Sequence, residues 1–217
     1  MLKIERYSMN SPEQWGMIID GTRNPLNSWD KSDSKYDYMD LEGFAHPYFR
    51  LGEADQKLMD KLAKAGPSHR KYLRMITVYV DICAPLYWWK QFDQHKIGVT
   101  TNSCSTMHKL THKEFELDDF SHEYLNSYTT NNLKDTIRLL NYYRNLYLAE
   151  KDSEMKKDAW WQMIQILPTS YNQKRTVMLN YEVLTNIYET RRNHKLDEWH
   201  TVCDWIERLP YSELITG

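Results

Sequence analysis

The sequence predicts a mixed α/β (α+β) chain with a strand near its middle and a helical C-terminal half, and three observations carry that prediction. From Met75 to Ile82 the residues alternate, Ile76, Val78, Val80 and Ile82 on one face and Met75, Thr77, Tyr79 and Asp81 on the other, as a half-buried strand requires. From Asn132 to Glu150, Leu133, Ile137, Leu140 with Tyr143 or Arg144, and Tyr147 recur at helical spacing. Two shorter amphipathic stretches, Asn180 to Arg192 and Asp197 to Leu209, close the chain, the second ended by Pro210.

Taken in order, Met1 to Tyr7 fits a short first strand. Ser11-Pro12-Glu13 then starts a helix, with Ser11 as cap and Pro12 at the first position, where a missing N–H costs nothing. Gly21 to Tyr38 is polar and turn-rich and reads as an extended loop, in which Trp29, Tyr36 and Tyr38 either pack it down or meet another chain. Glu53 to Ala65 places Leu58, Met59, Leu62 and Ala65 on one side of a helix that Gly66-Pro67 stops. After the strand, Pro85 is suited to the first position of a second short helix, from which Tyr87, Gln91, Gln94 and His95 project as one polar stripe. Thr111 to Asn132 is acidic and irregular, a lid or, by default, a solvated loop. Asn132 is the candidate cap of the long helix, whose aromatic stripe reads as packing, and Glu154 to Leu167 forms a further helix stopped before Pro168.

The 217 residues contain no low-complexity stretch or Gly/Ser linker, so a single domain over 1–217 is expected. Twenty-eight basic residues against thirty acidic ones give a net charge of −2, which argues against general nucleic-acid or membrane-surface binding. Eight Trp and sixteen Tyr suit large interfaces and flat-ligand pockets as well as core packing. Cys83, Cys104 and Cys203 make no metal or CxxC spacing and the histidines no HExxH pattern, so no metal site is expected. With no signal-like apolar segment and no apolar run near the roughly 20 residues that span a bilayer, a cytoplasmic protein is expected.

Trp88 to His108 reads most like a site. Gly98 allows a turn, and Val99 to Met107 is a run of hydroxyl-bearing residues around Cys104 that suits an anion or a nucleobase. Gln94-His95-Lys96, eight residues and then Ser105 resembles the signature of the flavin-dependent thymidylate synthase family (ThyX), Arg-His-Arg, about seven residues, Ser. The C-terminal part is similar to the same family: Ile166-Leu167-Pro168, Asn180 twelve residues on, Asn186 six later and Arg191 five after that, then His194 to Glu198. His69, Pro85 and Gln91 also sit at the family's offsets before His95. The resemblance runs from about Gly66 to Leu209 and gives residues 1–49 little support.

The resemblance implies a ThyX-like fold with a central, mostly antiparallel sheet, and a homotetramer with active sites shared between subunits. It implies reductive methylation of dUMP to dTMP, with FAD carrying hydride from NADPH and methylenetetrahydrofolate giving the methylene. The implied nucleotide contacts are Gln91, Ser103, Ser105 and Arg191, with Ser105 and Arg191 in the catalytic roles. The implied flavin contacts are His69, Gln94, His95, Lys96, Asn180, Asn186 and His194. Spacing alone leaves His69 as either a flavin neighbour or a strand-edge residue. Asn180 and Arg191, eleven steps apart, return to nearly one helix face. Each has an equally good local reading, Asn180 as a cap and Arg191 as a charge complementing the helix dipole.

Several family positions are altered. Gln94 and Lys96 replace the signature arginines, Ser103 a glutamate, and Met107, Ile164 and Glu182 further arginines, and the loop is one residue longer. Gln, Met and Ile lack the bidentate guanidinium fork that holds a phosphate. Lys96 with the hydroxyls of Ser103, Ser105 and Thr106 can replace part of it. Two alternatives therefore stand beside the synthase: a non-catalytic flavin- or nucleotide-binding protein with a sensing role, and a structural homo-oligomer.

Overall fold

The computed structural model describes residues 2–41, 44–107 and 109–217, so His108, the last residue of the site-like stretch, and Met1, the first of the expected strand, lie outside the described residues. The order of elements is β1 (Lys3–Met9), α1 (Pro12–Arg23), β2 (Lys35–Leu41), β3 (Phe44–Arg50), α2 (Glu53–Lys64), β4 (Thr77–Pro85), α3 (Leu86–Phe92), β5 (Thr100–Ser103), α4 (Ser127–Ala149), α5 (Ser153–Ile166), β6 (Asn172–Asn180), α6 (Tyr181–Arg191), α7 (Asp197–Ile206) and α8 (Glu213–Thr216). This is a mixed α/β fold with an antiparallel sheet and a helical C-terminal half. One sheet has the order β1-β4-β6-β5, and β2 pairs with β3 as a separate antiparallel hairpin, Lys35 opposite Arg50 and Leu41 opposite Phe44. No described helix is long and apolar enough to cross a membrane.

The chain divides into two compact units, one of residues Met1–Glu5, Asp81–Gln94 and Thr101–Thr176, the other of Arg6–Val80, His95–Thr100 and Val177–Gly217. In the first, Leu133, Ile137 and Leu140 of α4 and Met163 of α5 are buried with Leu110, Phe115 and Phe120. The acidic stretch before α4 is therefore not a solvated loop, because Phe115 and Phe120 enter the core and its backbone is held down. Asn141 accepts from the Phe115 N–H at 2.8 Å and donates to the Phe115 carbonyl at 2.9 Å, and Arg144 donates to the Thr111 carbonyl at 3.0 Å. The long helix starts five residues before the expected Asn132, at Ser127, since Asn126 accepts from the Thr129 N–H at 3.0 Å and caps it first.

In the second unit Ser11 caps α1 with Pro12 at its start, and Gln14 completes the capping box. Trp15 stacks on Phe49 of β3 at 5.7 Å and meets Tyr211 edge-on at 5.2 Å. The expected loop over Gly21 to Tyr38 holds the end of α1, two short 3-10 turns and most of β2. Every residue of β2 is exposed. Without a buried face it shows no alternation, which is why it read as loop. Beneath it, the buried carboxylate of Asp55 takes Arg23 Nε at 2.5 Å, the hydroxyls of Ser32 at 2.7 Å and Ser34 at 2.6 Å, and the N–H groups of Asp33 and Ser34.

Three further expectations are corrected. Helix α3 starts at Leu86, with Pro85 as its flanking cap, and closes at Asp93, whose carboxylate pairs with Arg175 at 2.7 Å. Gln94 and His95 therefore lie beyond it rather than on its stripe. The hydroxyl-rich loop contains β5, a short, fully exposed edge strand. Strand β6 was not expected at all, because its first half, Asn-Gln-Lys-Arg-Thr, is polar; Val177 and Leu179 bury its second half.

Candidate functional site

Helix α6 organises the second unit's share of the implied site. Its N-cap is Asn180, whose side-chain carbonyl accepts from the Val183 N–H at 3.1 Å, so the capping role is realised. The amide side of Asn180 faces Gly98. A methyl group there would come within 3.0 Å of Asn180 Nδ2 and 3.2 Å of Val183 Cγ2, and Gly98 has φ +76°. Gly98 thus seats the His95–Thr100 segment against the start of α6. Gly98→Ala is expected to cost about 1–3 kcal/mol through the forced backbone and the close contact. A urea denaturation curve measures it.

At the far end of α6 stands Arg191. The eleven steps from the cap bring both to one azimuth but add a rise of about 16 Å. A ligand touching both must lie along the helix. The Arg191 guanidinium sits 4.9 Å over the ring of Trp199, a fully buried residue of α7. His95 meets the same indole edge-on at 6.0 Å and His194 at 6.4 Å. Trp199 is the hub of three implied site residues. Sequence reasoning missed it because it falls in the apolar repeat of α7 with Val202, Cys203 and Ile206 and reads as core.

The electrostatics of this cluster keep its imidazoles neutral. Burial lowers the His95 pKa below the usual histidine value, and the Arg191 charge lowers it further. His194 is lowered in the same direction, by burial first and then by Arg191. Its Nδ1 accepts from the Leu196 N–H at 3.1 Å, which places the proton of the neutral ring on Nε2. Arg191 Nε is buried and has no hydrogen-bond partner among the described residues. A buried guanidinium donor without an acceptor is costly and calls for one.

The other implied residues are distributed as follows. Asn186 is exposed and accepts from Arg70 at 3.5 Å, while Arg70 is paired with Glu182 at 3.0 Å. Glu182, where an arginine was implied, is thus half of an ion pair, and Arg70 is a cation that no motif or spacing singles out. His69 is exposed and lines a cavity of about 370 Å3 with Leu26, Leu62, Tyr72 and Met75. Lys96 is exposed.

Gln91, Gln94, Ser103 and Ser105 belong to the first unit. Gln91 is half-buried on α3, the Gln94 N–H donates to its carbonyl at 3.2 Å, and Ser103 and Ser105 are exposed. Between the two serines Cys104 is tied to β6: its N–H donates to the Lys174 carbonyl at 2.9 Å and its carbonyl accepts from Gln173 Nε2 at 2.8 Å. The rigid floor here is aromatic. Trp88, Trp89 and Phe92 are buried together, Trp89 Nε1 donates to the Gln173 carbonyl at 2.8 Å, and Arg175 lies 4.3 Å over Trp89. Ile164, at another implied arginine position, packs against the α4–α5 core. Among the described residues no group of His, Cys, Asp and Glu is placed to hold a metal.

No protein-family model matches the sequence, and no curated protein matches it. Solved structures do share its fold. The flavin-dependent thymidylate synthase ThyX from Helicobacter pylori, solved with FAD and dUMP, superposes with a TM-score of 0.62 at 18% identity over 99% of this chain and 97% of that one. A UMP/dUMP methylase, PolB from Streptomyces cacaoi, bound with 5-Br dUMP, superposes with a TM-score of 0.59 at 14% identity over 100% of this chain and 94% of that one. The fold is therefore ThyX-like.

Proposed function

We propose that this chain is an FAD-dependent thymidylate synthase-like enzyme that reductively methylates dUMP, or a close pyrimidine nucleotide, with methylenetetrahydrofolate and NADPH as co-substrates and as a homotetramer. The observation that carries the reading is the buried, unpartnered Nε of Arg191 beside two imidazoles held neutral around Trp199. That donor set fits a planar heterocycle bearing ring carbonyls, which both a flavin and a uracil are. The shared fold with proteins solved with FAD, dUMP or 5-Br dUMP supports the choice.

On this reading FAD, when bound, supplies the redox chemistry. His95, His194, Asn180 and Asn186 position it, with His69, Gln94 and Lys96 as the remaining contacts. Arg191 donates to the uracil and, in a site from which water is excluded, stabilises negative charge developing on the ring carbonyl. Gln91 orients the base, and Ser103 and Ser105 hold the phosphate end, where Lys96 replaces an arginine as a point charge.

A second reading, a binding protein that retains a flavin or nucleotide but not methylation, is favoured by Glu182 and Ile164. The first is neutralised by Arg70 and the second is committed to the core. The visible absorption spectrum after incubation with FAD and removal of excess separates these readings from a scaffold. Retained flavin is expected for the native protein and a loss of it for His95→Ala. Retained flavin that, once reduced with NADPH, is not reoxidised on addition of dUMP and methylenetetrahydrofolate selects the binding protein, and a colourless protein of correct size rejects both.

A further inference from the structure

We propose a second small-molecule site, for a planar organic anion, in the first unit between the C-terminal part of α4 and the start of α5. A cavity of about 370 Å3 opens there, lined by Met107, Thr111, Tyr147, Ser153, Lys156, Lys157 and Trp160. That volume lies within the range of small-ligand pockets.

The lining has one sign of charge. Its lining residues include two that carry ammonium groups, Lys156 and Lys157, two that carry hydroxyls, Thr111 and Ser153, and the aromatic Tyr147 and Trp160. Among the described residues no carboxylate lines it. Of the acidic residues near it in sequence, two are turned onto the backbone: Asp152 accepts from the Glu154 and Met155 N–H groups at 3.0 Å, and Glu150 from those of Lys151 at 2.8 Å and Asp152 at 3.0 Å; Glu154 and Asp158 are exposed and are not among the lining residues. Asp152 and Glu150 therefore each have a partner other than the lysines.

The walls are fixed before any ligand arrives. Trp160 Nε1 donates to the Met107 carbonyl at 3.0 Å, which holds the indole and leaves its face as a wall. Lys156 Nζ lies 4.8 Å over the Tyr147 ring, so the phenol face already accepts a cation and holds it at the cavity. A pair of lysines beside two ring faces and two hydroxyls matches a phosphate or carboxylate joined to a flat ring, the charge meeting the ammonium groups and the ring lying on the aromatic wall. This site does not depend on the proposed synthase activity. It shares none of the residues assigned to that reaction.

The test is equilibrium binding of adenosine 5′-monophosphate, a planar ring with a phosphate, followed by isothermal calorimetry on the full chain at low salt. Inorganic phosphate is the second probe, and variants Lys156→Gln/Lys157→Gln and Arg191→Ala are measured alongside. Saturable binding is expected that weakens about tenfold or more in the double lysine variant, with two charge-assisted contacts gone. It should persist in Arg191→Ala, which separates it from the nucleotide site, and weaken as salt is raised. Phosphate alone binding as tightly as the monophosphate would overturn the assignment of a planar ligand. No saturable binding, or binding indifferent to both lysines, would overturn the site.

Discussion

On the proposed synthase reading, Arg191→Ala is expected to lower turnover with dUMP by about a hundred- to a thousandfold, the loss that follows removal of one preorganised donor from an oxyanion-type site, and to leave flavin retention intact. The guanidinium lies over the Trp199 ring, and its buried Nε has no acceptor among the described residues to lose. Its removal therefore leaves the fold with less to repair than a buried ion pair would. A second effect is readable without turnover. Arg191 helps to hold the His95 pKa down, so the variant's His95 titrates closer to an ordinary histidine, visible in its imidazole proton shifts against pH. An unchanged titration together with full turnover would remove Arg191 from the site. Equal loss of flavin and turnover would make it a structural residue.

The same depression fixes the sign of a pH effect on stability. With the folded-state pKa of His95 below its unfolded value of about 6.5, the unfolded chain binds more protons in the window between the two. The contribution of neutral His95 to stability is complete above about pH 6.5 and is lost as pH falls through the window toward the folded pKa. In Arg191→Ala the window narrows.

Asp55→Ala destabilises the second unit by about 3–5 kcal/mol, the cost of leaving one member of a buried ion pair without its partner. Arg23 and Asp55 are 4% and 1% exposed, so the guanidinium left behind has little access to water. The carboxylate also gathers the Ser32 and Ser34 hydroxyls and two backbone N–H groups at the approach to the hairpin. Burial pushes the Asp55 pKa up, but the Ser34 and Ser32 hydroxyls and Arg23 outweigh it and hold the group below the usual carboxylate range. Stability from Asp55 is thus present above its unfolded pKa of about 3.9 and lost below it as pH falls through the folded value. Urea denaturation of Asp55→Ala and Asp55→Asn tests the pair. A change under about 0.5 kcal/mol, the scale of a surface substitution, would show that it carries no stability.

Much of the helical framework was legible because amphipathic spacing and caps are local. Ser11-Pro12 opened α1, Gly66 closed α2, and Leu133, Ile137 and Leu140 marked α4. The start of α4 was missed because Asn126 and Asn132 are equally good caps by type, and the turn that Asn126 adds is exposed and carries no apolar residue into the core. The ThyX-like fold was legible through the spacing of the Leu-Pro turn, Asn180, Asn186 and Arg191 rather than through its strands, of which β1 and β4 were expected.

By itself, then, the sequence determined where the apolar faces of the helices lie, where β4 runs, and which polar residues are candidates for the site. Tertiary structure alone decided that polar β6 is an inner strand, since its partners β4 and β5 are distant in sequence, and that the adjacent β2 and β3 pair, since β2 has no buried face to read. It also decided that Asn180 is spent on a cap, that Glu182 is answered by Arg70, and that His95, Arg191 and His194 meet at Trp199. Local spacing places a side chain on a face of its own element. What that side chain touches depends on the element packed against it, and that is a property of the whole chain.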